Sequence, residues 1–262
     1  MRIRPVRADD VGEVAAVTRA ARSDVEHLLR QDAPGCWVAD ADGEVAGAAL
    51  STRRDLLWCL SALAVGAAAE AVAPTLLDAT LSHSRGCLGG VAVLPDDPAT
   101  ARFVRQAGFV LHPTMRLTGR IDRSARPLID GVREATDADR ALVDSVDRQV
   151  RSAARGPDHG RLQAGGGLLV CELTTGSGYA FHRDGSPVAL AATTREVARR
   201  LLWSVLTRSP AGSRVAVGGL TAEQDWAVDV GLAAGLGVQV GGFLALRHMR
   251  PPMPYLPSAW LG

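Results

Sequence analysis

The chain has 262 residues, of which 47% are hydrophobic and 22% charged, and its formal net charge at pH 7 is +1. This length and composition suffice for two ordinary hydrophobic cores, and the balanced charge argues against a nucleic-acid-binding surface. The cysteines Cys36, Cys59, Cys87 and Cys171 form no paired motif. We therefore expect reduced thiols, no metal site and a cytoplasmic location.

The first half alternates strands and helices. Apolar periodicity and turn signals predict strands at residues 3–6, 56–65, 88–93 and 110–120, and helices at residues 9–29, 74–83 and 98–106. A hairpin is predicted at residues 36–51. Asp42-Gly43 predicts the tight turn of the hairpin, and the pair Asp96-Asp97 suits the N-terminal cap of the helix at Pro98. Residues 56–77 approach the length of a membrane span, but Glu70 and Pro74 favour a buried strand that leads into a helix.

The second half repeats this pattern. Ile3, Arg4 and Asp10 match Val132, Arg133 and Asp139 at one constant offset. Strands are predicted at residues 132–134, 168–173, 178–181, 188–192, 214–217 and 238–249, and helices at residues 137–150, 195–207 and 222–233. This predicts two related mixed α/β folds, each a twisted sheet flanked by helices, at residues 1–122 and 130–262. A linker near residues 121–130 joins them, and the apolar tail 250–262 is expected to dock on the second fold.

This order of elements and the segment ATARFVRQAGFVLHPTMRL, residues 99–117, resemble the GNAT superfamily of acyl-CoA-dependent N-acyltransferases. In that family a central strand leads to a loop of pattern [Gln/Arg]-x-x-Gly-x-[Gly/Ala], and the next helix points its N-terminus at the acyl-CoA pyrophosphate. The resemblance implies that the pantetheine arm binds along Leu63, Ala64 and Val65. It implies a phosphate loop at Ala68, Ala69, Glu70, Ala71, Val72 and Ala73.

The loop departs from the family pattern in its chemistry. Ala68 replaces a polar or basic residue, Ala71 replaces a glycine, and Glu70 brings negative charge toward the phosphates. A left-handed conformation at Ala71 would cost about 1 kcal/mol or more. The tyrosine that many relatives use to protonate the leaving thiolate corresponds to Val104.

The second copy carries no glycine-rich loop. Thr193 with Glu196 predicts a capping box that satisfies the helix start with protein groups, so we expect a structural or pocket-building role. Arg148, Arg151 and Arg155 lie near one helical face. This favours a solvent-exposed face over a site that binds a nucleotide phosphate.

The resemblance implies transfer of an acyl group, most simply acetyl, from acetyl-CoA or another acyl-CoA to a small-molecule amine. The base can be a carboxylate or water; Asp55, at the start of the central strand, is the candidate catalytic base, and His83 and His112 are the other possible proton carriers. The alternative is a GNAT-derived chain that has lost acyl-CoA and serves as a binding or interaction module, or hosts different chemistry in a cleft between the copies. We expect no nucleic-acid or membrane partner, and either a monomer or a homodimer.

Overall fold

The computed structural model describes residues 1–66 and 69–262. Contacts group them into two compact units. The first comprises Met1–Leu111, Ala245–Met249 and Trp260–Gly262, and the second comprises His112–Leu244 and Arg250–Ala259. The predicted domains, residues 1–122 and 130–262, stay a prediction.

The first unit is built on a mixed sheet. Its strands lie side by side in chain order: β1 Arg2–Pro5, β2 Cys36–Ala41, β3 Glu44–Arg54, β4 Leu57–Val65 and β5 Gly89–Leu94. Neighbouring strands are antiparallel except β4 and β5, which are parallel. The helices are α1 Val11–Thr18, α2 Arg22–Asp32, α3 Ala73–Leu81 and α4 Pro98–Gln106. No helix of the described residues is long and apolar enough to span a membrane.

Turn residues decide where these elements end. Asp42 and Gly43 both have positive φ, 55° and 100°, which confirms the predicted tight turn between β2 and β3. The single helix predicted at residues 9–29 is wrong, because the structure has two. Arg19 adopts a left-handed conformation with φ 57° and ends α1.

The remaining elements lie wholly or mostly in the second unit. They are β6 Val110–Gly119, β7 Val132–Glu134, α5 Arg140–Arg151, α6 His159–Gln163, β8 Gly167–Leu173, β9 Gly176–Arg183, β10 Ser186–Ala192, α7 Arg195–Leu206, β11 Val215–Leu220, α8 Asp225–Ala233, β12 Gly237–Arg247 and β13 Tyr255–Leu256. Strands β7 to β10 form an antiparallel sheet in chain order, and β13 adds to the edge at β10. Strand β11 pairs with β6.

The sequence repeat corresponds to one interaction made in each unit. The Arg4 guanidinium donates to both carboxylate oxygens of Asp10, at 2.6 and 3.0 Å. Arg133 donates to Asp139 in the same bidentate way, at 2.7 and 2.6 Å. Each aspartate also accepts a backbone N–H three residues earlier, at 2.7 Å, which closes the turn that begins the helix. The repeated residues therefore tie β1 to the start of α1, and β7 to the start of α5.

We expect Asp10→Asn to lower the free energy of unfolding at pH 7 by about 3 kcal/mol, because it removes one partner of a largely buried ion pair. The Arg4 hydrogen bond lowers the pKa of Asp10, so the carboxylate stabilises the fold above the ordinary aspartate pKa of about 4. That contribution is lost as the pH falls toward the lowered pKa.

Thermal unfolding from pH 3 to 8 measures both effects, and the difference between wild type and variant should shrink below about pH 4. The exposed neighbour Asp9 provides the matched control, Asp9→Asn, which should unfold like the wild type. An Asp10→Asn variant as stable as Asp9→Asn would contradict the assignment.

Candidate functional site

Strands β4 and β5 begin as a parallel pair and then part. Their registered pairs run from Leu57 with Gly89 to Leu60 with Ala92. Strand β4 continues to Val65 and stays paired with β3 as far as Gly47. Along residues 61–65, which the structure describes, β4 therefore has no registered partner on the side of β5. Backbone N–H and C=O groups on such an edge can pair with an extended ligand.

A cavity of about 660 Å³ occupies the space where the two strands part. The second half of β4, the ends of α1 and β5, one side of α4 and Trp260 line it. The volume lies within the range of small-molecule sites. The lining combines apolar side chains such as Leu94 and Phe103 with the charged side chains of Arg19, Glu70 and Asp97.

Ser61 stands at the point of separation. Leu60 pairs with Ser51 on β3, but the next registered pair joins Ala62 to Leu50, so Ser61 is an extra residue in the strand. Such a bulge increases the local twist and turns the strand away from its neighbour. Ser61 lines the cavity. Sequence reasoning missed it, because an isolated serine in an apolar strand carries no signal of a bulge.

The residues predicted for the pantetheine arm all reach this cavity. Leu63, Ala64 and Val65 line it and are half-buried. Ala73, the last residue predicted for the phosphate loop, also lines it and is fully buried at the start of α3. The structure thus brings together the two ends of the predicted acyl-CoA site.

The rest of the predicted phosphate loop forms a short 3-10 turn, Ala67–Val72, that runs into α3. Ala69 is buried and Ala71 exposed, and both keep negative φ. The strain expected from a left-handed Ala71 is therefore absent. Val72 packs against a small core cluster that includes Leu76. Ala68 lies outside the described residues.

Glu70 has a partner that the sequence did not indicate. Nη2 of Arg102, on α4, lies 3.7 Å from Oε1 of Glu70, and both side chains are more than half exposed. The Arg102 guanidinium also stacks 5.0 Å from the ring centre of Phe103. The negative charge predicted to repel phosphates is therefore partly offset by a cation from another helix.

Asp97 contributes a carboxylate to the cavity wall. It accepts hydrogen bonds from the backbone N–H groups of Ala99 and Thr100, at 3.4 and 2.9 Å, which confirms the predicted helix cap. Hydrogen bonds from the side chain and backbone of Thr100 lower the pKa of Asp97. A carboxylate with a lowered pKa is a weak proton acceptor.

The structure does not bring Asp55 to this cavity. Asp55 is exposed, with φ 47°, in the hairpin turn that precedes β4. The nine residues of β4 extend for about 30 Å, and the cavity lies along their far half. The role of Asp55 as a base stays a prediction, and the geometry lends it no support.

The second unit closes its corresponding edge with its own chain. β13, from the C-terminal tail, pairs antiparallel with β10 through Leu190 with Leu256 and Ala191 with Tyr255. The predicted capping box at Thr193 is wrong. Thr194 caps α7 by accepting from the N–H of Val197, while Thr193 accepts from the N–H of Ser177.

A buried charge network lies under β13. Arg155 and Asp147 are fully buried, with Nε of Arg155 3.3 Å from Oδ2 of Asp147. The Tyr179 hydroxyl donates to Asp147 at 2.5 Å, and Arg155 donates to the Tyr255 hydroxyl at 3.1 Å. The solvated face predicted for this run of arginines is therefore wrong at Arg155 and at Arg151, which is also buried.

Solved structures share this fold over nearly the whole chain, although no family model and no curated protein matches the sequence. A candidate acetyltransferase from Pyrococcus horikoshii is 15% identical, with a TM-score of 0.74 over 99% of this chain and 92% of its own. A GCN5-related N-acetyltransferase from Sphaerobacter thermophilus is 14% identical, with a TM-score of 0.57 over 96% of each chain. A tandem GNAT protein from the clavulanic acid biosynthesis pathway is 16% identical, with a TM-score of 0.55 over 94% of this chain and 97% of its own. The chain has the mixed α/β fold of GNAT acetyltransferases, which confirms the predicted fold class.

We expect Arg155→Met to destabilise the protein by about 3–5 kcal/mol, because it leaves the Asp147 carboxylate buried without its cation. Adding Asp147→Leu should recover most of the loss, since an apolar pair of similar volume can replace a buried ion pair.

Thermal unfolding of the single and double variants tests this. The exposed pair of Arg195 and Asp225 supplies the control, and Arg195→Met should change the unfolding temperature little. A double variant less stable than the single one would contradict this account of the network.

Proposed function

We propose that the first unit transfers an acyl group, most simply acetyl, from coenzyme A to a small-molecule amine. The separation of β4 from β5 carries the proposal, because it leaves an unpaired strand edge beside a cavity of about 660 Å³. The likeness to solved acetyltransferase structures supports the same reading at the level of the fold.

The cavity suits the pantetheine arm of an acyl-CoA. That arm is an extended chain with two amide groups, so it can pair with backbone N–H and C=O groups along residues 61–65 of β4. Leu63 and Val65 offer apolar contact on one face of the strand, and Ala64 leaves room on the other. These residues would hold the arm along β4 with its acyl end toward Ser61.

In this proposal the backbone of the loop and the Arg102 side chain bind the phosphates of the acyl-CoA, and the side chains of the loop do not. The turn at Ala67–Val72 and the start of α3 point the positive end of a helix dipole toward this end of the cavity. We assign Arg102 to the phosphates, because its exposed guanidinium lies near the loop, beside Glu70. Glu70 opposes binding by charge repulsion.

The lining also suits a cationic acceptor. Asp97, Glu70 and Arg19 supply the charges of the cavity lining, and Arg102 offsets Glu70, so we assign the attraction of an ammonium substrate to Asp97. The lowered pKa of Asp97 makes it a poor base. We therefore assign removal of the ammonium proton to water, with Asp97 attracting the substrate.

We place the reaction in the cytoplasm. The four cysteines are free, and three of them, Cys36, Cys59 and Cys171, are buried. Burial raises the pKa of the Cys36 thiol to about 12, which keeps it protonated and unreactive. Thiols of this kind are typical of a reducing compartment.

One observation favours ligand binding without transfer. Val104, which takes the place of the tyrosine acid of many relatives, is fully buried and offers no proton to a leaving thiolate. Binding of acetyl-CoA without release of free thiol in the presence of amines would favour this second function.

We expect acetyl-CoA to bind the purified protein with a micromolar dissociation constant in calorimetry at physiological salt. Ligand at 100 times that constant should stabilise the native state by about 2.7 kcal/mol and raise the unfolding temperature. Absence of heat and of a thermal shift at millimolar acetyl-CoA would overturn acyl transfer as the function.

We expect Glu70→Gln to tighten acetyl-CoA binding about threefold, because it removes an exposed negative charge worth up to about 1 kcal/mol. Arg102→Gln should weaken binding, and the loss should be larger at low salt because exposed charges are screened.

Arg105→Gln is the matched control. Arg105 lies on the same helix and is exposed, but its guanidinium donates to the carbonyl of Phe109. Equal effects of the Arg102 and Arg105 variants on the dissociation constant would contradict the assignment of Arg102 to the phosphates.

A further inference from the structure

Ser61 carries a buried hydroxyl at the cavity with no hydrogen-bond partner among the described residues. The residue is 8% exposed, and its Oγ is enclosed by protein. A buried hydroxyl without a partner costs free energy, so proteins rarely retain one. Ser61 is one of the residues that line the cavity, and rotation about its Cα–Cβ bond would present the hydroxyl to a bound molecule that can accept its hydrogen bond.

The neighbouring strand shows how this protein satisfies a buried serine elsewhere. Ser51 on β3 is fully buried, and its Oγ accepts from the Thr80 hydroxyl at 2.9 Å. The same Oγ lies 3.4 Å from the Gly35 carbonyl, to which it donates. Ser51 is the register partner of Leu60, next to Ser61. Two adjacent serines therefore differ in one respect: protein groups satisfy the Ser51 hydroxyl, and none of the described groups satisfies that of Ser61.

The position of Ser61 identifies which part of a bound acyl-CoA it would meet. It follows Leu60, the last residue of β4 paired with β5, and precedes the edge assigned to the pantetheine arm. Ser61 lies about 13 Å from Val65 along the strand, toward the closed end of the cleft. The acyl thioester is the part of the ligand that belongs there.

We propose that the Ser61 hydroxyl donates a hydrogen bond to the carbonyl oxygen of the bound thioester and stabilises the negative charge that develops on it. The amine nitrogen forms a bond to the carbonyl carbon, and the C=O π electrons move to the oxygen that Ser61 faces. They return as the C–S bond breaks, the sulfur leaves as thiolate, and the nitrogen loses its proton to water. Ser61 keeps its own proton throughout.

A donor role fits the chemistry of serine better than a role as acid. A serine hydroxyl is a far weaker acid than a thiol, so full proton transfer from Ser61 to the leaving sulfur is uphill. A fixed hydrogen bond in a site shielded from water needs no proton transfer, and such donors have large effects on rate.

This inference rests on the proposed acyl transfer, and its test separates the two. Bound acetyl-CoA labelled with ¹³C at the carbonyl gives an infrared band whose frequency falls when the oxygen accepts a stronger hydrogen bond. We expect this band at lower frequency in the wild type than in Ser61→Ala, with similar dissociation constants by calorimetry. This measurement needs no acceptor amine.

Kinetics and stability complete the comparison. With a panel of small amines and detection of released thiol, we expect Ser61→Ala to lower kcat about 100- to 1,000-fold. Its unfolding temperature should be unchanged or higher, because it removes an unsatisfied hydroxyl. The control Ser51→Ala should do the reverse, lowering the unfolding temperature and leaving the carbonyl band in place.

Each other outcome overturns a defined claim. An unchanged band in Ser61→Ala, with acetyl-CoA still bound, overturns the role of Ser61 and leaves acyl transfer standing. A lower unfolding temperature together with weaker binding in Ser61→Ala assigns the residue a structural role and also overturns the inference. Failure of the wild type to bind acetyl-CoA overturns both claims.

Discussion

The separation of β4 from β5 is the constraint on which the proposed site depends. Backbone groups in the interior must find partners, and a strand that loses its neighbour halfway along leaves several without a strand partner on that side. The bulge at Ser61 twists β4 at the point where pairing stops. The parallel pair also requires a crossover connection, which places the start of α3 beside the end of β4. The unpaired edge of β4, the cavity and the position of the start of α3 thus all follow from the arrangement of β4 and β5.

The second unit meets the same constraint in a different way. Its β10 would also present an edge, but β13 pairs with it and supplies the missing partners from within the chain. Tyr255 of β13 then contacts the buried guanidinium of Arg155. One unit therefore has an unpaired strand edge and the other a paired one, so a function has to be argued from the site and not from the fold.

Features that depend on local chemistry could be predicted from the sequence, and features that depend on distant partners could not. Asp42-Gly43 and the Asp97 cap act within a few residues, and both were predicted correctly. The break after α1 was missed because Arg19 takes the left-handed position that glycine normally marks. That break brings Arg19 to the cavity. The burial of Arg155 depends on Tyr255, 100 residues further on, which helical spacing cannot indicate.

At the phosphate end of the proposed site, a partner that is distant in the sequence changes the electrostatic effect of a residue. In the sequence, Glu70 adds only repulsion, but in the fold Arg102 from α4 lies beside it, so this part of the surface is near neutral. A neutral surface gives phosphates little long-range attraction, and what it gives is screened at physiological salt. Most of the affinity for an acyl-CoA must then come from the edge of β4 and the apolar walls of the cavity. In the proposed site those contacts would surround the pantetheine arm and the acyl group, so the residues that bind an acyl-CoA would also select its acyl chain.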